Sequence, residues 1–151
     1  MKVYLDTCCL CRLFDDHSQL RIFAESEAIV RVLDRIGKRE LEWVSSGVLE
    51  YEIRKTRDED LRSNLLWLLR FSQERVFMDE DIQNLGKELQ NLGFSGLDSL
   101  HMACAQIAHC SVFLTTDDRL LRKAENSREA TSLLSISLKN PLYWWLEVFE
   151  Q

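Results

Sequence analysis

Apolar positions along the chain follow two rhythms. From Arg21 to Glu40, Ile22, Ile29, Leu33 and Ile36 recur at helical spacing, with Phe23, Val30 and Val32 beside them. Glu27 with Arg31 and Asp34 with Lys38 are i,i+4 pairs in the favourable order, so the opposite face of this helix is expected to be solvated. Ile82, Leu85, Leu89 and Leu92 form a second stripe at 3-4-3 spacing, closed by Gly93 at a C′ position. Leu61, Leu65, Leu68 and Leu69 mark a third, behind an acidic run at Asp58–Asp60 that suits a helix start. Further helices are read at Thr7–Phe14, "GVLEYEIRK", "SGLDSLHMACAQIAHC" and "DRLLRKAEN", and Asn140-Pro141 is a cap-plus-N1 signature opening a terminal one.

Short runs rich in β-branched, aromatic or leucine residues separate these stripes. They are Lys2–Leu5, "LEWVSS" ending near Val44, "RVFM", "SVFLTTDD" and "LLSIS". Strands alternating with helices predict an α/β domain with a mostly parallel sheet. No repeat, low-complexity segment or boundary divides the 151 residues, so one domain spanning 1–151 is expected, with 140–151 a C-terminal helical tail.

Composition narrows the class. With 46% hydrophobic and 29% charged residues, 5 Gly and 1 Pro, the chain reads as an ordinary globular protein. Its apolar runs are broken by charge within a few residues, and Asp6 stands where a signal peptide needs its apolar region. A cytoplasmic protein with no membrane segment is therefore expected. Five cysteines without the spacing of a disulfide framework read as reduced thiols. The net charge of −6 argues against a passive nucleic-acid binder, which carries a basic surface. It does not argue against an enzyme whose carboxylates hold cations at a nucleic-acid backbone.

In an open parallel sheet, ligands bind outside the carboxyl ends of the strands. Two of the predicted strands run directly into acid, at Asp6 and at Asp117, and Glu52 and Asp98 stand in helices that follow. Singly, each has a structural explanation: a turn at Asp6, an N-cap at Asp117 with Thr115 and Asp118 as a capping box, an N3 acid at Asp98 behind Ser95, a solvated face at Glu52. Together, converging carboxylates repel one another unless a cation neutralises them. Oxygen-only clusters are what hard cations such as Mg²⁺ or Mn²⁺ require.

The segments "VYLDT", "VSSGVLEYEI", "LDSLHMACA" and "VFLTTDDRLL" resemble, in order from residue 3 to about 125, the four acidic blocks of PIN domains. The resemblance implies a three-layer α/β/α fold with a mostly parallel central sheet. It also implies a Mg²⁺- or Mn²⁺-dependent endoribonuclease that hydrolyses RNA phosphodiester bonds, of the kind that forms the toxin of a VapC-type toxin–antitoxin pair. The partners that follow are RNA, a cognate antitoxin and a second copy in a homodimer. By the same resemblance Asp6, Glu52, Asp98 and Asp117 are the catalytic, metal-holding acids, with Thr7 beside the first and Thr116 and Asp118 in support. Glu50 competes with Glu52, but two residues along a helix point about 200° apart, so only one can face the site. Asp118 either shares the site with Asp117 or serves the helix start.

Arg12, Arg54, Lys55, Arg119, Arg122 and Lys123 lie near these blocks. Arg12 and Arg119 are the candidates for phosphate contact, Arg12 first because it is nearest Asp6, and the others read as solvated. His101, one turn after Asp98, reads as a packing histidine at the edge of the site; His17 and His109 share no ligand spacing with it. Cys8, Cys9 and Cys11 read first as packing thiols, with a five-thiol soft-metal site joining Cys104 and Cys110 as the alternative. Trp43 and Trp67 are expected in the core, and of Trp144 and Trp145 one is expected on the sheet and the other at a partner surface. Two alternatives stand beside the nuclease: a catalytically silent PIN-fold interaction module, and an aspartyl-nucleophile phosphatase. The latter wants a second acid at position 8, which is Cys.

Overall fold

The computed structural model describes residues 1–151. The strands are β1 (Lys2–Leu5), β2 (Glu42–Ser46), β3 (Glu74–Val76), β4 (Val112–Leu114) and β5 (Ser137–Lys139). The helices are α1 (Thr7–Cys11), α2 (Leu20–Gly37), α3 (Gly47–Arg54), α4 (Glu59–Leu68), α5 (Glu80–Asn91), α6 (Gly96–Ile107), α7 (Asp118–Glu125), α8 (Arg128–Leu133) and α9 (Pro141–Phe149). None is long and apolar enough to cross a membrane.

All strand pairs are parallel and the sheet order is β3-β2-β1-β4-β5. The chain steps outward from β1 to β3, then crosses back to β4 and β5 on the other side. The order therefore reverses at β1, where Val3 pairs with Trp43 on one side and Val112 on the other. The crevice beyond the ends of β1 and β4 is the place this topology leaves for a ligand.

Successive strand side chains point to opposite faces. Val3, Leu5, Trp43, Val112 and Leu114 pack with Ile29, Val32 and Ile36 of α2 and with α9 in one buried cluster. Tyr4, Val44 and Phe113 pack on the other face with Ile82 and Leu89 of α5, Met102 of α6 and Leu120 of α7. Two cores on one sheet make a three-layer α/β/α domain. Trp144 and Trp145 both lie in the first core, at 5% and 6% exposure, so neither joins a partner surface as expected; Phe149 meets both rings and completes the packing. Trp67, expected in the core, is half exposed on α4 and meets Phe71 edge-on.

The expected strand at "LLSIS" is displaced. Ser127 caps α8, which runs to Leu133, and the amides of Ser135 and Ile136 donate to the Gln106 side chain rather than to a strand. Sheet pairing starts only at Ser137.

A buried carboxylate ties the periphery of the site together. Glu25, on the inner face of α2 and 1% exposed, accepts from Arg12 Nε at 2.9 Å, Arg21 Nε at 3.3 Å and Asn140 Nδ2 at 2.6 Å. Arg21 in turn grips Asp118 with both terminal nitrogens, at 2.7 and 2.8 Å. Asn140 caps α9 through its Oδ1, which accepts from Leu142 N. One acid thus connects the turn after α1, the start of α7 and the start of α9.

Candidate active site

Asp6 ends β1 and caps α1, and its backbone N–H donates to Leu114 O at the end of β4. Its carboxylate is 7% exposed and both oxygens are engaged. Oδ1 accepts from Thr7 N at 2.9 Å; Oδ2 accepts from Thr115 Oγ1 at 2.8 Å, with the Cys8 thiol at 3.5 Å. Burial lifts its pKa above the ordinary aspartate value, and the Glu52 charge adds to this; His101, Thr115 and Thr7 offset only part of the rise.

Glu52 projects from α3 toward Asp6. Its Oε1 accepts from Thr7 Oγ1 and from His101 Nε2, the latter at 3.1 Å. Burial pushes its pKa up, but the hydrogen bonds from His101 and Thr7 outweigh it and leave the carboxyl below the ordinary value. Glu50 turns the other way and pairs with Arg54 at 3.3 Å and Arg75 at 3.5 Å.

Asp98 sits in the first turn of α6, where its N–H donates to the Ser95 cap at 3.2 Å. Burial raises its pKa, and the charges of Asp6 and Asp117 push in the same direction. Asp117 is the exposed cap of α7: its Oδ1 accepts from Arg119 N and Leu120 N, and its own N–H donates to Thr115 Oγ1 at 3.1 Å. Thr115 therefore bridges the ends of β1 and β4, donating to Asp6 and accepting from Asp117. The sequence reading gave a supporting role to Thr116 instead. Thr116 takes part through its backbone, its N–H meeting Cys8 Sγ and its carbonyl accepting from Arg21. Asp118 faces Arg21 rather than the other acids, and that pair holds its pKa low.

Ligand atoms of Asp6, Glu52 and His101 lie within 4.8 Å of one another. Asp98 and Asp117 stand outside that tight group, with Asp98 close enough to feel the charges of both Asp6 and Asp117. No Lys or Arg pairs with any of the four acids; the one ring nitrogen that meets them is His101 Nε2, 3.1 Å from Glu52 Oε1. Arg12, expected at a phosphate, is committed to Glu25 and Asp15. Arg119 forms no ion pair and is exposed at the start of α7. An oxygen-donor cluster without a lysine or arginine counter-ion, holding two carboxyls whose pKa values are raised, fits a hard divalent cation.

His101 was read from sequence as a packing residue. It is 1% exposed and both ring nitrogens are engaged, Nε2 with Glu52 and Nδ1 with Tyr4 OH at 2.7 Å. The signal for it was its place one turn after Asp98, which puts both on one side of α6. The five cysteines are all free; Cys9, Cys104 and Cys110 are buried, and Cys8 and Cys11 partly so.

Three comparisons bear on this geometry. The family model described as PIN domain matches residues 3–126. Ribonuclease VapC35 of Mycobacterium tuberculosis, from strains CDC 1551 and H37Rv, is 30% identical over 147 residues, spanning 92% of this chain and 96% of its own. A chain in the crystal structure of VapBC2 from Rickettsia felis bound to a DNA fragment from their promoter superposes with a TM-score of 0.58. That match covers 93% of this chain and 98% of the other at 15% identity, which shows a shared fold.

Proposed function

The chain belongs to the PIN domain family, and from that premise we propose that it is a metal-dependent endoribonuclease, the toxin of a toxin–antitoxin pair acting in the cytoplasm. The observation that carries the reading is the meeting of Asp6 and Glu52 at the reversal point of the sheet, with Asp98 near enough to feel the charges of Asp6 and Asp117 and no Lys or Arg paired to any of the four. Asp6, Asp98 and Asp117, with Glu52, are the residues to hold Mg²⁺ or Mn²⁺. Such a cation, when bound, activates water and clamps a phosphodiester oxygen.

The protein's own part is positional and electrostatic. Asp6 is fixed by Thr7 and Thr115, so its carboxylate has one orientation when a substrate arrives. Thr7 serves both neighbours, its N–H on Asp6 and its hydroxyl on Glu52. Asp117 devotes Oδ1 to the amides of α7, which leaves Oδ2 without a hydrogen-bond partner in the protein. Arg119, in the first turn of the same helix and without an ion pair, is the residue to meet a backbone phosphate beside the cut. Arg12 serves the Glu25 network instead.

The same reading supplies a cognate antitoxin and a homodimer as partners, both carried from the family; co-purification with the product of a neighbouring reading frame and light scattering test them. The central test is cleavage of RNA with Mg²⁺ or Mn²⁺. Wild type is expected to cut, and Asp6→Asn and Asp98→Asn to lose at least a hundredfold in rate, the order by which removal of one preorganised electrostatic group slows an enzyme. Cleavage by both variants at the wild-type rate would sink the site assignment. Wild-type Mn²⁺ binding no stronger than that of Asp6→Asn would favour the silent interaction module.

A further inference from the structure

A buried chain of side chains runs from behind the sheet to the site. Ser46 Oγ lies 2.6 Å from Tyr4 OH, Tyr4 OH lies 2.7 Å from His101 Nδ1, and His101 Nε2 lies 3.1 Å from Glu52 Oε1. Ser46 and Tyr4 are fully buried and His101 is 1% exposed. Such groups are costly to bury unless each is satisfied, and a complete network fixes the side chains that belong to it.

The direction of these bonds follows from the acceptor at the end. An ionised carboxylate only accepts, so His101 donates from Nε2–H. Nδ1 of the neutral ring is then an acceptor, and Tyr4 O–H donates to it. Tyr4 oxygen accepts in turn from the Ser46 hydroxyl, while Ser46 Oγ accepts from Leu49 N at 3.0 Å as the cap of α3. The Ser46 and Tyr4 hydroxyls and both ring nitrogens of His101 are all engaged, and the helix whose start Ser46 caps is the one that carries Glu52.

The anchoring is also selective at its far end. Both Thr7 and His101 address Oε1 of Glu52, and Oε2 has no hydrogen-bond partner in the protein. One oxygen is held and the other is presented. His101 has no nitrogen left for a cation, although its ring lies within 4.8 Å of the Asp6 and Glu52 oxygens.

We propose that His101, locked by Tyr4 and Ser46, is a positioning residue that holds Glu52 through Oε1 and presents Oε2 to the cation site. The proposal rests on the nuclease reading for what Glu52 does, and on the hydrogen-bond geometry alone for how Glu52 is held. Tyr4 is the sharpest probe. Its ring stacks on Phe113 at 5.3 Å between centroids, so Tyr4→Phe keeps the packing and deletes only the hydroxyl between Ser46 and His101.

Two measurements test it. In the metal-free protein, ¹⁵N–¹H correlation spectra of the histidine rings are expected to show His101 as the pure Nε2–H tautomer, and as a mixture in Tyr4→Phe and in Glu52→Ala. A mixed or Nδ1–H tautomer in the wild type overturns the proposal. In the second measurement, Mn²⁺ affinity is followed by electron paramagnetic resonance. Tyr4→Phe and His101→Asn are each expected to weaken binding about tenfold, the low end for residues that orient a metal ligand. The same changes made in Glu52→Ala are expected to weaken it no further. Equal losses in both backgrounds mean that the residues act elsewhere, or that His101 binds the ion itself, and overturn the proposal. A wild type that binds no Mn²⁺ refutes the nuclease reading instead, and the tautomer then decides the positioning on its own.

Discussion

Replacing Glu25 with Gln keeps the shape of the side chain and removes its charge. The carboxylate is 1% exposed and accepts from two arginines and Asn140, so the amide must turn its NH₂ toward at least one donor. Removing one partner of a buried ion pair costs about 3–5 kcal/mol. The side chains of Arg12 and Arg21 keep 22% and 52% of their exposure, and that solvation draws the figure to the low end, about 3 kcal/mol. With a urea dependence of about 2 kcal/mol per molar, the midpoint should fall by about 1.5 M. Asp118→Asn is the control, because it breaks the other half of the Arg21 arrangement at 48% and 52% side-chain exposure. Exposed pairs contribute about 1 kcal/mol or less, so its midpoint should move by about 0.5 M at most. Urea unfolding followed by circular dichroism measures both. If the two variants unfold together, Glu25 is not the strut described above.

Asp98, whose carboxyl is raised first by burial and then by the Asp6 and Asp117 charges, binds protons more readily folded than unfolded. Its ionised form therefore lowers stability at neutral pH, so Asp98→Asn should melt higher than wild type near pH 7 and lose that advantage toward about pH 4. Glu52 is lowered and has the opposite sign: its contribution is present at neutral pH and fades as acid protonates it, so Glu52→Gln should melt lower near pH 7, with a difference that shrinks in acid. Thermal scans at the two pH values decide both, and a gap that widens on acidification contradicts the assignment. Mn²⁺ at a hundred times its dissociation constant should stabilise wild type by about 2.7 kcal/mol and leave Asp6→Asn unmoved in the same scans. Trp145→Ala, which empties a site 6% exposed, should cost about 3–5 kcal/mol in urea unfolding, whereas Trp67→Ala at 54% exposure should stay within about 1 kcal/mol. Arg119→Ala should weaken RNA binding regardless of sequence and flatten its salt dependence by about one unit of slope, read from filter binding at several salt concentrations.

What was legible in the chain was whatever local rules could carry. Four β-prone runs, the helical stripes between them, Gly93 after α5 and the Asn140-Pro141 cap each specify their element within a few residues. The acids stand out as candidates because strand ends and helix starts are readable, and because four carboxylates in one order are hard to explain singly. Glu50 and Glu52 separate only in three dimensions, where Arg75 of β3 claims the first and Thr7 and His101 meet the second. For Arg12, nearness to Asp6 in sequence says nothing of Glu25, which pairs with the guanidinium. A signal was nonetheless present, since Glu25 lies three residues after Ile22 and four before Ile29, an acid at helical spacing along the buried stripe. Tyr4 gave a similar hint, because a tyrosine in the middle of a central strand must bring a partner for its hydroxyl. Thr115 and Thr116 are adjacent, and only the placement of β4 beside β1 selects the former. The α8–β5 segment failed because Gln106, far away in sequence, takes two amides that local reading gave to a strand.

The central place of β1 has a consequence for the order of events during synthesis. Asp6 is made well before Thr115, which holds its carboxylate and lies 109 residues further on. At 5–20 residues per second the intervening stretch takes roughly ten seconds to make. Throughout that time β1 has no β4 neighbour, and Asp98 and Asp117 both lie in the second half of the chain. Contacts this distant in sequence also form slowly once both partners exist. The translating ribosome thus carries a chain whose acids are still apart, and they come together only when the central strand gains its second neighbour.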